Sequence, residues 1–128
     1  MNTSDYKELS VWKKSMDLVV EIYAFVRSLP PEEKYCLGDQ IRRCSISIPS
    51  NIAEGHNRNS IKDYIRFISI SRGSVAELQT QLILSMRLGY LDEGKLTYFN
   101  TQLAGIDRML CALIKSLYRL LERQQKEQ

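Results

Sequence analysis

The stretch Arg42–Leu82, RRCSISIPSNIAEGHNRNSIKDYIRFISISRGSVAELQTQL, decides the fold of this 128-residue chain. It holds two apolar segments with helical spacing, joined by a short polar turn around His56. Pro49 interrupts the first segment, and the pair Gly73-Ser74 interrupts the second. Glycine in mid-helix costs about 1 kcal/mol relative to alanine. Its presence favours the close approach of another helix, from the same domain or from a second subunit, and the stretch predicts a tightly packed helical hairpin.

Apolar residues recur every three or four positions along four segments of the chain, which is the spacing of an amphipathic helix. The predicted helices cover about residues 10–28, 32–54, 61–88 and 93–123. Short connections between four long helices favour antiparallel neighbours. The sequence therefore predicts an all-α fold, an antiparallel up-down-up-down four-helix bundle, in a single domain covering residues 1–128.

Capping and helix-breaking residues mark the expected ends of these helices. Pro49 lacks a backbone donor and disfavours helical geometry before it, so we expect a kink there, or a short break in which Ser47 caps a final turn. Gly55 is the expected C-terminal stop of that helix. Ser60 is expected to cap the third helix and Asp92 the fourth.

Composition excludes several classes of protein. The chain is 44% hydrophobic and 26% charged, which is typical of a globular domain and not of a disordered one. No apolar run approaches the roughly 18 residues that span a bilayer, and the first residues do not resemble a secretory signal. The cysteines at 36, 44 and 111 show no C-x-x-C spacing, so neither a disulfide framework nor a zinc site is expected. We expect a cytoplasmic protein.

Nothing in the sequence resembles a catalytic site. It contains no P-loop, dinucleotide-binding, zinc-protease or nucleophile-elbow motif. His56 is the only histidine and has Glu54 and Asp63 nearby in sequence, but a metal site needs three or four ligands. Because no nucleophile and no general base can be named, we expect no enzymatic activity, no cofactor or metal, and no small-molecule substrate.

Arg72 is a charged residue at an apolar position. It follows Ile68 by four residues and precedes Val75 by three, which predicts that it points along the apolar seam of the third helix. A charge in such a place must be paired, since burying it alone is expensive. Glu54 and Glu77 are the expected partners, in a structural ion pair where the second and third helices meet.

Basic residues form two sets that are candidates for binding a nucleic acid. The first lies along one face of the fourth helix and comprises Arg108, Lys115, Arg119, Arg123 and Lys126. The second is looser and comprises Arg42, Arg43, Arg58, Lys62 and Arg66. Such faces can match phosphate spacing and give salt-dependent, largely sequence-independent binding. A solvated face without a ligand is the other interpretation, since Asp107 and Glu122 border the first set.

Several motifs of the chain resemble those of one bacterial family. They are Ser47-Ile-Pro-Ser-Asn-Ile-Ala-Glu-Gly55, Tyr64, Phe67, Ser71-Arg-Gly-Ser-Val-Ala-Glu77, the opening Leu9-Ser-Val-Trp12 and the turn Gly89-Tyr-Leu91. Over about residues 6–122 the chain thus resembles the 23S rRNA intervening-sequence proteins, also called S23-like four-helix-bundle proteins. The resemblance implies a ring-like homopentamer without established enzymatic activity. It implies no residue-level site, because the shared motif is structural. The function of the family is unknown, and RNA binding is a conjecture for it.

Two hypotheses follow from the residues and the resemblance together. The first is a non-enzymatic homo-oligomer, a pentamer by resemblance, that binds structured RNA such as ribosomal RNA, or another nucleic acid, through its basic helix faces. The alternative is an oligomeric scaffold for a protein partner. A more distant relative, the accessory protein of diversity-generating retroelements, implies a reverse transcriptase as one such partner.

Overall fold

The computed structural model describes residues 5–127, and within that range its regular structure is entirely helical. Its long helices are α1 (Ser10–Arg27), α2 (Leu37–His56), α3 (Ile61–Arg87) and α4 (Glu93–Lys126). A 3-10 turn, Tyr6–Glu8, precedes α1, and a one-turn helix, Pro31–Lys34, precedes α2. The predicted all-α fold of four helices is confirmed. The first four residues and Gln128 of the predicted domain lie outside the described residues.

Each long helix packs against two others, so that α1 and α3 both contact α2 and α4. Contacting residues of neighbouring helices run in opposite chain directions. In α1 and α4, for example, Lys14 lies against Gly105 and Glu21 accepts a hydrogen bond from Tyr98. One core fills the centre, and burying each of its large side chains contributes roughly 1.5–3 kcal/mol. Its most buried members are Ile22, Ile41, Ile48, Ile52, Ile68, Leu78, Leu82, Phe99, Leu103, Ile106 and Leu110.

The second predicted helix, from about residue 32, is divided in the structure. Pro31–Lys34 forms its own helical turn, and α2 begins at Leu37 after Cys36, whose backbone is not helical. The break leaves the Lys34 carbonyl without a helical donor, and the guanidinium of Arg42 donates to it at 2.9 Å. The prediction of one helix across this region is wrong, because a side chain satisfies the backbone where the helix stops.

Pro49 is buried inside α2, which continues past it without a break. The hydroxyl of Ser71 on α3 donates to the carbonyl oxygen of Ile48 at 2.9 Å. The hydroxyls of Ser47 and Ser74 share a hydrogen bond of 2.8 Å, so Ser47 does not cap a separate final turn. The expected break is wrong: α2 runs unbroken through Pro49, and hydroxyl groups of α3 bond α2 beside it, at Ser47 and Ile48. The kink stays a prediction.

Gly55 serves packing and does not stop the helix. α2 ends one residue later, at His56. A Cβ atom on Gly55 would lie 2.7 Å from the Cβ atom of Phe67, closer than real Cβ contacts come, and 3.1 Å from the ring of Tyr64, which is also tight. The glycine therefore lets α2 and α3 approach closely at the start of their hairpin, and its predicted role as a C-terminal stop is wrong.

The two predicted caps are confirmed. The Ser60 hydroxyl accepts from the backbone N–H of Asp63 at 3.1 Å at the start of α3. The Asp92 carboxylate accepts from the backbone N–H of Lys95 at 2.7 Å at the start of α4. Each bond satisfies a donor that a helix terminus leaves without a partner.

Gly73 differs from Gly55 because a Cβ atom there would meet nothing within 4 Å. It is exposed on α3. Close packing inside the domain therefore does not explain this glycine, and that part of the prediction is wrong. Approach by a second subunit, the other explanation, stays a prediction.

Candidate nucleic-acid interface

Among residues 5–127, no group of three or more His, Cys, Asp or Glu side chains lies together as a metal ion requires. No helix in this range is long and apolar enough to cross a membrane.

His56 is enclosed by aromatic rings. Its ring centroid lies 5.6 Å from that of Tyr64 and 6.5 Å from that of Tyr6, and both contacts are edge-to-face. Neither of its nitrogens has a hydrogen-bond partner within the described part of the chain. Glu54, its neighbour in sequence, instead pairs with Arg58 at 2.7 Å. This is the environment of a packed ring, without a carboxylate to orient it as a base.

Cys44 is a buried thiol that donates to the carbonyl oxygen of Ser74 at 3.1 Å. Burial and, to a lesser extent, the nearby carboxylate of Glu77 raise the pKa of Cys44 to about 12. Since the thiolate is the reactive form, this side chain is inert at neutral pH. It packs α2 against α3.

Arg72 pairs with Asp107 of α4 instead of Glu54 or Glu77. Its Nε and Nη2 atoms donate to the two carboxylate oxygens at 2.8 and 3.3 Å. This hydrogen bond raises the pKa of Arg72 above its ordinary value. The predicted partners are wrong because Ser71 occupies the buried seam, which leaves Arg72 at the edge facing α4 with 45% of its side chain exposed.

The basic set on α4, called the α4 stripe below, has no acidic partner in the part of the chain that the structure describes. All five side chains are exposed, and none lies within 4.0 Å of a carboxylate among residues 5–127. From its first to its last member the stripe extends about 27 Å along the helix. Of the two bordering acids, Asp107 is neutralised by Arg72, which leaves Glu122. The stripe consists of Arg108, Lys115, Arg119, Arg123 and Lys126.

Three members of the second basic set already have partners. Arg42 pairs with Asp39, Arg58 with Glu54, and Arg66 with Asp63 at 3.7 Å. Arg58 and Arg66 also stack on one aromatic ring, that of Phe67, at 4.8 and 4.5 Å from its centroid.

Only part of the second set therefore resembles a binding surface. Arg43 and Lys62 form no ion pair in the described part of the chain. Arg42 and Arg43 also lie about 20 Å along α2 from its end at His56, and Arg58 follows that end, so the structure does not gather this set in one place. Sequence reasoning did not find Phe67 as the ring on which these guanidinium groups stack. Arg66 and Phe67 are adjacent in sequence, and adjacent residues do not face each other on a helix.

Lys62 and the end of the α4 stripe lie at the same end of the bundle. A cleft of about 360 Å³ separates the start of α3 from the last turns of α4. Lys62, Leu121 and Gln124 are among the residues that line it. No local pattern indicates this cleft, because residues about 60 positions apart form it.

α4 extends past the start of α3. The ion pair of Arg72 with Asp107 joins the two helices at facing positions. α3 begins at Ile61, about three turns before Arg72, so α4 passes this point about three turns after Asp107, near residue 118. Residues 119–126 form what we call the overhang, in which only Leu121 is half-buried. The stripe residues on the overhang are Arg119, Arg123 and Lys126.

Two comparisons with known proteins found similarities. A family model described as 23S rRNA-intervening sequence protein matches residues 7–112. A crystal structure from Bacteroides thetaiotaomicron, of a protein with unknown function from the S23 ribosomal protein family, is 28% identical and covers 82% of this chain and 95% of its own. Its TM-score is 0.77. The chain matches no curated protein. The family match ends within α4, so Arg108 is the one stripe residue inside it.

Proposed function

The chain belongs to the 23S rRNA-intervening sequence protein family, and on this premise we propose that it is a non-enzymatic homo-oligomer that binds structured RNA through the α4 stripe. The observation that carries the proposal is the stripe itself: five exposed cations on one helix face without an acidic partner among the described residues. The family adds the association with ribosomal RNA.

The physics of such a stripe favours a polyanion. Cations that release condensed counterions from a phosphate backbone gain affinity without reading sequence. A straight helix of about 27 Å can follow the backbone over several phosphates. Phosphate contacts position a protein on its target, whereas specificity needs contacts to base edges or to a particular RNA shape. We therefore propose recognition of a folded RNA shape.

Assembly would strengthen a weak surface of this kind. One copy offers five cations. Once one copy of an assembly has bound an RNA, the other copies meet that RNA at a high effective concentration. The pentameric number implied by the resemblance stays a prediction. The absence of enzymatic activity is part of the proposal, and the enclosure of His56 and the raised pKa of Cys44 support it.

The proposal is tested by titrating the protein with a labelled ribosomal RNA hairpin between about 50 and 200 mM salt. Reversing charge at Arg108, Lys115 and Arg119 together removes three phosphate contacts. The slope of log affinity against log salt should then fall by roughly 2 to 3 in magnitude. An unchanged slope would clear the stripe of this role.

A matched control reverses three cations at the opposite end of the bundle, Arg27, Lys34 and Lys95. Both triple variants replace three bases by acids, so each changes the net charge of +3 to −3. The control should keep the wild-type slope. If wild-type protein binds no RNA even at ~50 mM salt, the nucleic-acid function is wrong, and an oligomeric scaffold for a protein partner becomes the better proposal.

A further inference from the structure

A polar cleft of about 270 Å³ lies between α2 and α3. Cys44, Ser74 and Gln81 are its buried lining residues, and Ser47 is half-buried beside them. The hydroxyls of Ser47 and Ser74 share a hydrogen bond of 2.8 Å, and the Cys44 thiol donates to the Ser74 carbonyl oxygen at 3.1 Å. Three of these four side chains therefore have partners inside the domain.

Gln81 is the exception among them. Its residue is only 9% exposed, and its Oε1 atom has no hydrogen-bond donor within residues 5–127. A buried amide oxygen without a hydrogen bond costs about 1–3 kcal/mol, and such atoms are almost always paired. The cleft therefore contains a buried acceptor that suits a ligand with an N–H donor.

Two opposite charges border the same cleft. Arg43 on α2 and Glu77 on α3 both line it and are exposed, and neither forms an ion pair in the described part of the chain. Glu77 and Gln81 are four residues apart on α3, so the carboxylate and the amide lie on one face of the helix. Burial and, second to it, the Glu77 carboxylate raise the pKa of Cys44, so the negative charge acts inside the cleft.

A wider cleft of about 640 Å³ adjoins the polar one, and Gln40 and Arg43 line both. Its lining includes Leu84 and, just after the end of α3, Leu88, which are about half-exposed. These leucines follow Gln81 by three and seven residues, which places them on the same face of α3. The two clefts together form a groove that is polar and charged at one end and partly apolar at the other.

We propose that this groove binds a free α-amino acid with an apolar side chain. Its ammonium group donates to the Gln81 Oε1 atom and pairs with Glu77. Its carboxylate pairs with Arg43, and its side chain packs against Leu84 and Leu88. The polar cleft is smaller than the roughly 300–1,000 Å³ of pockets for drug-sized ligands, which suits the charged groups of one small zwitterion. A simple cation or anion satisfies only one of the two charges.

This inference goes beyond the proposed function and does not depend on RNA binding. The groove lies between α2 and α3, whereas the α4 stripe lies on another helix. The Cys44 thiol is protonated at neutral pH, so the amino acid is bound and not transformed. A ligand that contacts both helices of the hairpin also stabilises the folded chain by mass action.

Equilibrium dialysis of the whole protein against radiolabelled L-leucine, without RNA, tests the site. We expect saturable binding of one leucine per chain. Leucinamide lacks the carboxylate, N-acetylleucine lacks the ammonium group, and glycine lacks the apolar side chain, so each should compete at least about tenfold more weakly than unlabelled leucine. Absence of saturable binding up to about 10 mM leucine overturns the inference. Equal competition by leucinamide or N-acetylleucine shows recognition of a single charge and overturns the zwitterion.

Two variants assign the binding to this cleft. Glu77→Gln should weaken leucine binding at least about tenfold, whereas Glu122→Gln, which removes an exposed carboxylate on α4, should keep the wild-type affinity. Gln81→Met removes the unpartnered oxygen at nearly constant volume. It should raise the thermal midpoint of the free protein and also weaken leucine binding at least about tenfold. If Glu77→Gln and Gln81→Met both bind leucine as wild type does, the assigned cleft is wrong.

Discussion

The hairpin of α2 and α3 and the C-terminal half of α4 differ in how their polar residues are used. In the hairpin, polar and unusual residues are tied to a partner: Ser71 bonds the turn at Pro49, Ser47 bonds Ser74, and Gly55 lets two helices close. In α4 from Arg108 onward, charged residues of ordinary type stand exposed and unpaired within the described chain.

This difference shows that rare residues identify the fold, whereas common charged residues mark the candidate binding surface. A proline or glycine inside a helix is costly, so it persists only where the surrounding packing requires it. A lysine or arginine on a helix surface costs little and constrains nothing inside the domain. The hairpin therefore identifies the architecture, and the plain charges of α4 form the candidate interface.

The largest contrast in stability should come from one apolar truncation in each region. Ile68→Ala empties a fully buried position and should lower the free energy of unfolding by about 2–5 kcal/mol. Leu120→Ala, on the half-exposed overhang, should cost less than about 1 kcal/mol. Urea denaturation measures both, and equal losses would contradict the division into core and overhang.

Glycine replacement should sharpen the comparison inside the hairpin. Gly55→Ala forces a methyl group against Phe67 and should destabilise the fold by about 1–3 kcal/mol. Gly73→Ala should instead stabilise the single chain by about 0.5–1 kcal/mol, because nothing stands in the way. Two shifts of the same sign would break the distinction between the glycines.

A smaller effect is expected from the Ser71 hydroxyl, which bonds α2 next to Pro49. Ser71→Ala removes the donor to the Ile48 carbonyl and should cost about 0.5–1.5 kcal/mol in thermal or urea denaturation. Ser69→Ala is the control, since its hydroxyl bonds only the Ile65 carbonyl of its own helix and should change stability by less than about 0.5 kcal/mol. A control loss as large as that of Ser71→Ala would refute a special role for the α2–α3 bond.

The smallest effect should come from the ion pair that joins the two regions. Asp107→Asn removes the partner of Arg72 and should cost at most about 1 kcal/mol, because both side chains are partly exposed. A buried pair, as the sequence suggested, would cost about 3–5 kcal/mol on losing one member. The same variant adds net positive charge beside the α4 stripe, so RNA affinity should rise slightly at low salt.

Much of the fold was predictable because local patterns determine it. Helical spacing, Ser60 and Asp92 placed the long helices without knowledge of tertiary contacts. The errors depend on distant neighbours. The break before α2 needs the guanidinium of Arg42 to satisfy a carbonyl eight residues away. The partner of Arg72 lies 35 residues away, and finding it requires the rotation of α3 about its axis.

The candidate site was predictable in its residues but not in its electrostatics. Angular spacing placed the α4 stripe on one face, and the structure keeps it there. Spacing could not show which of the two basic sets is free of ion pairs. That depends on side-chain rotamers and on nearby acids such as Asp63 and Glu54. The cleft near Lys62 arises from residues of two helices, so no single segment encodes it.

The overhang of α4 is a segment on which folding places little evolutionary constraint. Apart from Leu121, residues 119–126 are exposed and add little to the core, so folding places little constraint on substitutions there. Lineages can gain, lose or reposition charge on this segment without first acquiring a compensating change elsewhere. The family match ends before it, at residue 112. The body of the bundle is thus constrained by its packing, whereas the last two turns of α4 can change charge at little cost to folding.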